Sequence, residues 1–126
     1  MSVELRMYTY SFESNGWNAV NITDVVEEIT RNSGLRKGLV HVFTPEKKCM
    51  VVFIEYEPSL LSDLEEFMEK YMGSPGVLEG LLGKSIIAPF IGGSLDIGVF
   101  KRIAFIDFSR SSGKKKVIIV IEDLHD

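Results

Sequence analysis

The hydrophobic and polar positions between Gly38 and Tyr71 set out a strand, a turn, a second strand and a helix in succession. Two apolar runs, Leu39 to Thr44 and Met50 to Tyr56, are parted by Pro45, Glu46, Lys47 and Lys48. Both runs are rich in valine, isoleucine and phenylalanine, which suit a pleated, buried surface. Proline has no N–H to give a ladder, so the break between strands belongs at Pro45. Pro58 then opens a helix, at the one helical position where a missing N–H costs nothing. Leu60, Leu61, Leu64, Phe67, Met68 and Tyr71 recur at helical spacing, and Gly73 ends the pattern. The stripe predicts that Leu64 and Phe67 face a sheet.

The flanks carry mostly period-two patterning. In Val3 to Phe12, Val3, Leu5, Met7 and Thr9 alternate against Glu4, Arg6, Tyr8 and Tyr10, which predicts a first strand. Asn15-Gly16 signals a turn and Trp17 to Asn21 a short strand. Thr23 is placed as the N-cap of a short helix, with Val25, Val26 and Ile29 on its buried face and Gly34 past its end. A break follows at Ser74-Pro75-Gly76, before Val77 to Leu82. Ser85 to Ile91 reads as a strand, and its Pro89 suggests an edge or a bulge. Gly92-Gly93 reads as a two-residue hairpin turn, because both central positions need positive φ. Leu95 to Val99, Phe100 to Phe108 and Lys116 to Glu122 read as strands. About eight strands, mostly in hairpins, with two main helices predict an α+β domain built on a β-sandwich.

Composition narrows this only a little. A chain of 126 residues makes one domain with one core, 1–126. Apolar residues make up 45% and charged residues 25%, ordinary for a soluble globular protein. A net charge of −4 argues against nucleic acid as a partner. A single cysteine, Cys49, excludes an intrachain disulfide and fits an intracellular, cytoplasmic setting. No apolar run approaches the roughly 20 residues that span a bilayer, so no membrane partner is expected.

Gly38, Pro45, Glu55, Pro58, Leu60 and Asp63 fall without a gap on one pattern: glycine and apolar strand, proline-led turn, strand ending in glutamate, helix with an early aspartate. In this the chain resembles the YjbQ family, whose better-studied members are secondary thiamine-phosphate synthases. Leu81, Leu82, Gly83 and Ser85 resemble that family's leucine-leucine-glycine-x-serine segment. Gly93, Leu95, Gly98, Arg102 and Ile103 resemble a second glycine-rich segment, with Val99, Phe100 and Lys101 in place of its threonine, tryptophan and glutamine. Glu46 stands where the family's turn has histidine. The family's asparagine-alanine-histidine-alanine-histidine motif would fall at Met72 to Val77, where no histidine occurs and the segment is shortened.

The resemblance implies a YjbQ-like β-sandwich that assembles as a homotrimer, with sites close to subunit boundaries. With the motif histidines lost, it implies a member that keeps fold and assembly but is catalytically degenerate, or binds a small phosphorylated ligand. The alternative is a diverged metal-dependent thiamine-phosphate synthase, joining a pyrimidine pyrophosphate to a thiazole phosphate. In that alternative Glu46, Glu55 and Asp63 serve catalysis with a divalent ion, and Lys101, Arg102 and Ser85 hold phosphate. Carboxylates alone suit a hard cation such as Mg²⁺ or Ca²⁺, and two distant histidines with one cysteine make no zinc site, so no bound zinc and no obligatory cofactor are expected. General acid/base work near neutral pH most often uses histidine, and its loss disfavours the enzyme. Of the remaining groups, His41 reads as a hydrogen-bonded strand residue, Cys49 as a small hydrophobe and Lys84 as a neighbour for Lys101 if the strands converge.

Overall fold

Glycine and proline punctuate this chain where the backbone has to turn. Gly92 and Gly93 take φ of 62° and 83° and join Ile91 to Ser94, the tight hairpin read from the sequence. The computed structural model describes residues 2–55, 57–70, 80, 83–99 and 101–125. Its elements are β1 (Ser2–Ser14), β2 (Asn18–Asn21), α1 (Thr23–Asn32), β3 (Lys37–Phe43), β4 (Cys49–Glu55), α2 (Pro58–Lys70), β5 (Ser85–Ile91), β6 (Ser94–Leu95), β7 (Lys101–Asp107) and β8 (Gly113–His125). The strands form two antiparallel sheets, β1-β8-β3-β5-β6 and β2-β7-β4. This is the expected mostly antiparallel sandwich with two short helices. Among the described residues no helix is long and apolar enough to cross a membrane.

Alternation assigns the layers. Val40 and Val42 of β3, Phe90 of β5 and Val117, Ile119 and Ile121 of β8 point inward from the five-stranded sheet. They meet Val51 of β4 and Ile103 and Phe105 of β7, while Ile22 and Val26 at α1 close the same core. The back of the three-stranded sheet is also covered: Met50, Ile106 and Phe108 are buried under Trp17 and Leu64 of α2. Leu64 therefore faces the sheet as the helical stripe predicts, whereas Phe67 remains 38% exposed. Because Leu64 is only partly buried, Leu64→Ala should lose about 1–2 kcal/mol in a urea melt, below the 2–5 kcal/mol of a sealed leucine. An unchanged midpoint would mean that α2 is not seated there.

Two local readings need correction. Thr23 is the first helical residue, not the cap; the cap position is Ile22 and has no side-chain bond. The physical reason is tertiary. The Thr23 hydroxyl accepts the Ile103 N–H at 2.8 Å and donates to Asn21 Oδ1 at 2.7 Å, so it pins the helix start to β7. The strand expected over Leu95 to Val99 stops after Leu95, and Gly98 turns with φ 90°. Readings at Tyr56, Tyr71, Phe100, residues 72–77 and most of 77–82 lie outside the described residues, as do the side chains of Leu61, Met68 and His125.

Candidate functional site

An antiparallel sheet with one face on a core ordinarily turns polar residues outward. The five-stranded sheet does the opposite. Its outer face carries Val3, Leu5 and Met7 of β1, Ile118 and Val120 of β8, Leu39 and Phe43 of β3, and Ile87, Pro89 and Ile91 of β5. Met7 is 72% exposed and Leu5 and Ile91 are each 61% exposed. The inward row of β1 is the aromatic one, with Tyr8, Tyr10 and Phe12 packed on the core. A cavity of about 530 Å³ opens on the outer face between Val3, Lys37, Leu39, Pro89, Ile91 and Glu122. Within the face, His41 Nε2 lies 3.3 Å from Glu122 Oε1. His41 is thus the hydrogen-bonded strand residue the sequence suggests; its partner, 81 residues away, was not foreseen.

A second cavity, of about 280 Å³, shares Ile87 and Pro89 with that face and is completed by Phe53, Asp96, Ile97 and Lys101. Lys101 opens β7 and is paired in register with Glu55, the last residue of β4. Cross-strand neighbours bring their Cβ atoms to about 5 Å, so the fold joins these two candidate residues. The cavity is near the lower bound for small-ligand pockets. Lys101 and Asp96 line the cavity and Glu55 is the cross-strand neighbour of Lys101, so charges of both signs suit a small polar ligand that carries both an acceptor and a donor.

The other candidates are placed elsewhere. Glu46 lies in the turn before β4, roughly 20 Å of strand away from Glu55. Its Oε2 accepts the Lys116 N–H at 2.9 Å, which ties the turn to β8. Lys84 donates to the carbonyls of Glu46 and, at 2.8 Å, Cys49, so it braces the same turn instead of joining Lys101. Asp63 is exposed on α2, and Ser85 is exposed at the start of β5, opposite Phe43. Arg102 faces away from Lys101 by alternation, and its guanidinium donates to the carbonyls of Val99 and Lys101. Among the described residues no three His, Cys, Asp or Glu side chains gather as a metal ligand set. Glu46, Glu55 and Asp63 do not converge within one chain to hold a cation.

A buried polar cluster links the two sheets. Asp107 of β7 is fully buried and accepts from Ser14 Oγ at 2.6 Å, the Ser109 N–H at 2.8 Å and Cys49 Sγ at 3.4 Å. Lys115 Nζ lies 3.8 Å from its Oδ2 and donates to Ser109 Oγ at 3.0 Å. Burial alone would raise the pKa of Asp107, but the hydrogen bonds from Ser14, Ser109 and Cys49 outweigh it and hold the carboxyl below its ordinary value. Burial, then the charge of Asp107, pushes the Cys49 thiol up to about 12. Cys49 is therefore an inert thiol, as a small hydrophobe should be.

Known proteins resemble this chain along most of its length. The family described as UPF0047 protein YjbQ-like matches residues 8–77. A UPF0047 protein of Archaeoglobus fulgidus is 30% identical, over 79% of this chain and 90% of its own length. One from Methanothermobacter thermautotrophicus is 29% identical, over 68% and 70%. The crystal structure of a YbjQ-like protein of unknown function from Sulfolobus solfataricus has a TM-score of 0.89 at 17% identity, covering 98% of this chain and all of that one. A YjbQ/UPF0047 family protein of Clostridium acetobutylicum has a TM-score of 0.81 at 22% identity, covering 90% and 99%.

Proposed function

The chain belongs to the YjbQ-like UPF0047 family, and from that footing we propose a self-assembling, small-ligand-binding member without thiamine-phosphate synthase chemistry. The observation that carries this is the separation of the carboxylates. Glu46, which stands at the family's histidine position, uses its side chain to hold the Lys116 N–H at the far end of β4 from Glu55. A general acid or base must reach the proton it moves, and a structural peg at that distance does not serve the Glu55 of its own chain. What remains at Glu55 is Lys101, whose ammonium, with the Asp96 and Glu55 carboxylates near it, suits a small phosphorylated ligand that also carries a cationic donor. Assembly is supported by the exposed apolar face, since exposed apolar patches of this kind mark interfaces, and a trimer is what the family resemblance implies.

The test pairs an activity with a binding measurement. Purified protein given a pyrimidine pyrophosphate, a thiazole phosphate and Mg²⁺ should make thiamine phosphate at background level. Glu46→His should not change that, because catalytic groups acting as a unit are not restored one at a time. O-Phosphoethanolamine, a small phosphate that also carries an ammonium, should bind in calorimetry, and Lys101→Ala should weaken it about tenfold, as loss of one charge-assisted hydrogen bond does. Metal-dependent synthesis by the unmodified protein, lost in Glu55→Ala, would establish the enzyme instead.

A further inference from the structure

We propose that the open edge of β1 pairs with the same edge of a second copy, antiparallel about a two-fold axis at Leu5, so that two five-stranded sheets run into one. This contact is separate from the ligand reading and does not depend on what covers the outer face. Among the described strands β1 has β8 on one side and ends its sheet on the other. It runs 13 residues in unbroken register with β8, with no bulge, no proline and no lysine. Those are devices by which chains blunt an edge, and without them a row of N–H and C=O groups is offered to a further strand. The other edges differ. β6 has 2 residues and β2 has 4, and β4 begins with the buried Cys49, Met50 and Val51.

The residues of β1 select the occupant. Two sheets that continue into one another keep their outer rows on one side, so odd-numbered residues must face odd-numbered ones. With Leu5 set on Leu5, Val3 faces Met7 and Glu4 faces Arg6, and the two-fold makes each pair twice. Apolar meets apolar on the outer row, and charge meets opposite charge on the other. Centring the contact on Glu4 or on Arg6 sets that charge against its own copy, which is destabilising. Centring it on Met7 sets Glu4 against Tyr10 and Arg6 against Tyr8, and pairs no charges.

Within one strand Arg6 Nη2 already lies 2.6 Å from Glu4 Oε2, with the two side chains 47% and 43% exposed. The second copy sets its own Glu4 beside Arg6 and its own Arg6 beside Glu4, which completes a square of alternating charges. An unrelated strand would have to carry the same two charges in the matching order, whereas a copy brings them by symmetry. Facing stretches from Ser2 to Tyr8 make about six to eight main-chain hydrogen bonds. Those bonds supply the affinity of strand addition, and the side-chain pairs fix the register.

Cysteine cross-linking of the full chain reads the register. Facing residues of antiparallel strands hold their Cα atoms about 4.5–5.5 Å apart, within reach of a disulfide. Leu5→Cys lies on the axis, so with oxidised glutathione it should link to itself and give twice the 14.2 kDa of the chain on a non-reducing gel. Val3→Cys and Met7→Cys should each stay single alone and link when mixed. Thr9→Cys, on the same row beyond the paired stretch, should stay single. The native Cys49 is buried and takes no part. In sedimentation across dilution Arg6→Glu should weaken the contact about tenfold, because two attractive cross-strand pairs become repulsive. Combining it with Glu4→Arg should restore the contact, since every facing pair is again opposite in charge. Circular dichroism melts check that the variants fold. Equal linking of Leu5→Cys and Thr9→Cys, or Val3→Cys linking to itself as readily as to Met7→Cys, overturns the proposal. So does a contact that Arg6→Glu leaves unchanged. A mass of three chains without a Leu5→Cys link overturns the edge contact and leaves assembly through the outer face standing.

Discussion

Asp107→Ala should lose about 3–5 kcal/mol of stability, the cost of leaving one member of a buried ion pair without its partner. The carboxylate is fully buried and serves both sheets: Ser14 ends β1, Cys49 opens β4 and Lys115 lies on the inner row of β8. Ser14 Oγ is also 3.1 Å from Asn18 Oδ1, but a hydroxyl has one proton, and the 2.6 Å contact to a carboxylate claims it. Without Asp107, the Lys115 ammonium would keep only Ser109 Oγ among the described residues, the Ser109 N–H would lose its acceptor, and the Ser14 hydroxyl would turn to Asn18 Oδ1. Coupling Asp107→Ala with Lys115→Met should recover part of the loss, because replacing both partners by apolar groups is far milder than breaking the pair. The pH dependence has a definite sign. The folded-state pKa of Asp107 is depressed, so its contribution is complete above the unfolded value of about 4 and is lost as pH falls through the folded value. Asp107→Asn should flatten that part of the acid limb. A loss under about 1 kcal/mol for Asp107→Ala in urea melts would show that Lys115 finds another counter-charge or water.

The sequence made the strands legible because their signals are local. The proline break at Pro45, the Gly92-Gly93 turn and the β-branched runs each report the conformation of the residues that carry them. The partners within the candidate site were not legible, because strand register decides them. Glu55 meets Lys101 and His41 meets Glu122 only once β4 lies on β7 and β3 on β8. Nothing near Glu46 announces that its carboxylate would reach a backbone N–H 70 residues away. The outer face is a different case. β1 changes rows midway, with Val3, Leu5 and Met7 apolar on one row and Tyr8, Tyr10 and Phe12 on the other, so alternation alone does not say which row meets the core. The aromatic row won because Tyr8, Tyr10 and Phe12 fill the space between the sheets, and Phe12 stands edge-on to Phe105 with ring centres 4.9 Å apart. A strand whose apolar residues change rows offers an apolar patch to each side of its sheet, and in the three-stranded sheet α2 covers part of the outer side. The five-stranded sheet has no such helix among the described residues, and Val3, Leu5 and Met7 stay exposed on its outer face.

Gly38→Ala should cost about 3 kcal/mol or more, the upper range for forcing atoms into a packed structure. The reason is space. A Cβ at Gly38 would lie 1.8 Å from the Glu122 carbonyl oxygen and 2.9 Å from its carbonyl carbon, far inside contact distance. These are backbone atoms, so no side chain can swing aside. Nor can β3 retreat, because Gly38 is held between Asp123 of β8 and Phe90 of β5. Next to it Arg36 gives its N–H to Asp123 Oδ2 at 3.1 Å and its carbonyl to the Gly92 N–H at 2.6 Å. Replacing glycine by alanine gains about 0.4–1 kcal/mol by restricting the unfolded chain, too little to offset a clash of this depth. The midpoint of thermal unfolding should fall by roughly 10 °C or more. The effect should not stay local. Leu39 and Glu122 border the larger cavity with Gly38, so parting β3 from β8 would also spread the outer face. The larger cavity should therefore open as stability falls, whereas Lys101→Ala, at the smaller cavity, should leave the melting midpoint within a degree or two. A Gly38→Ala protein that melts with the wild type would mean that the two strands do not approach this closely.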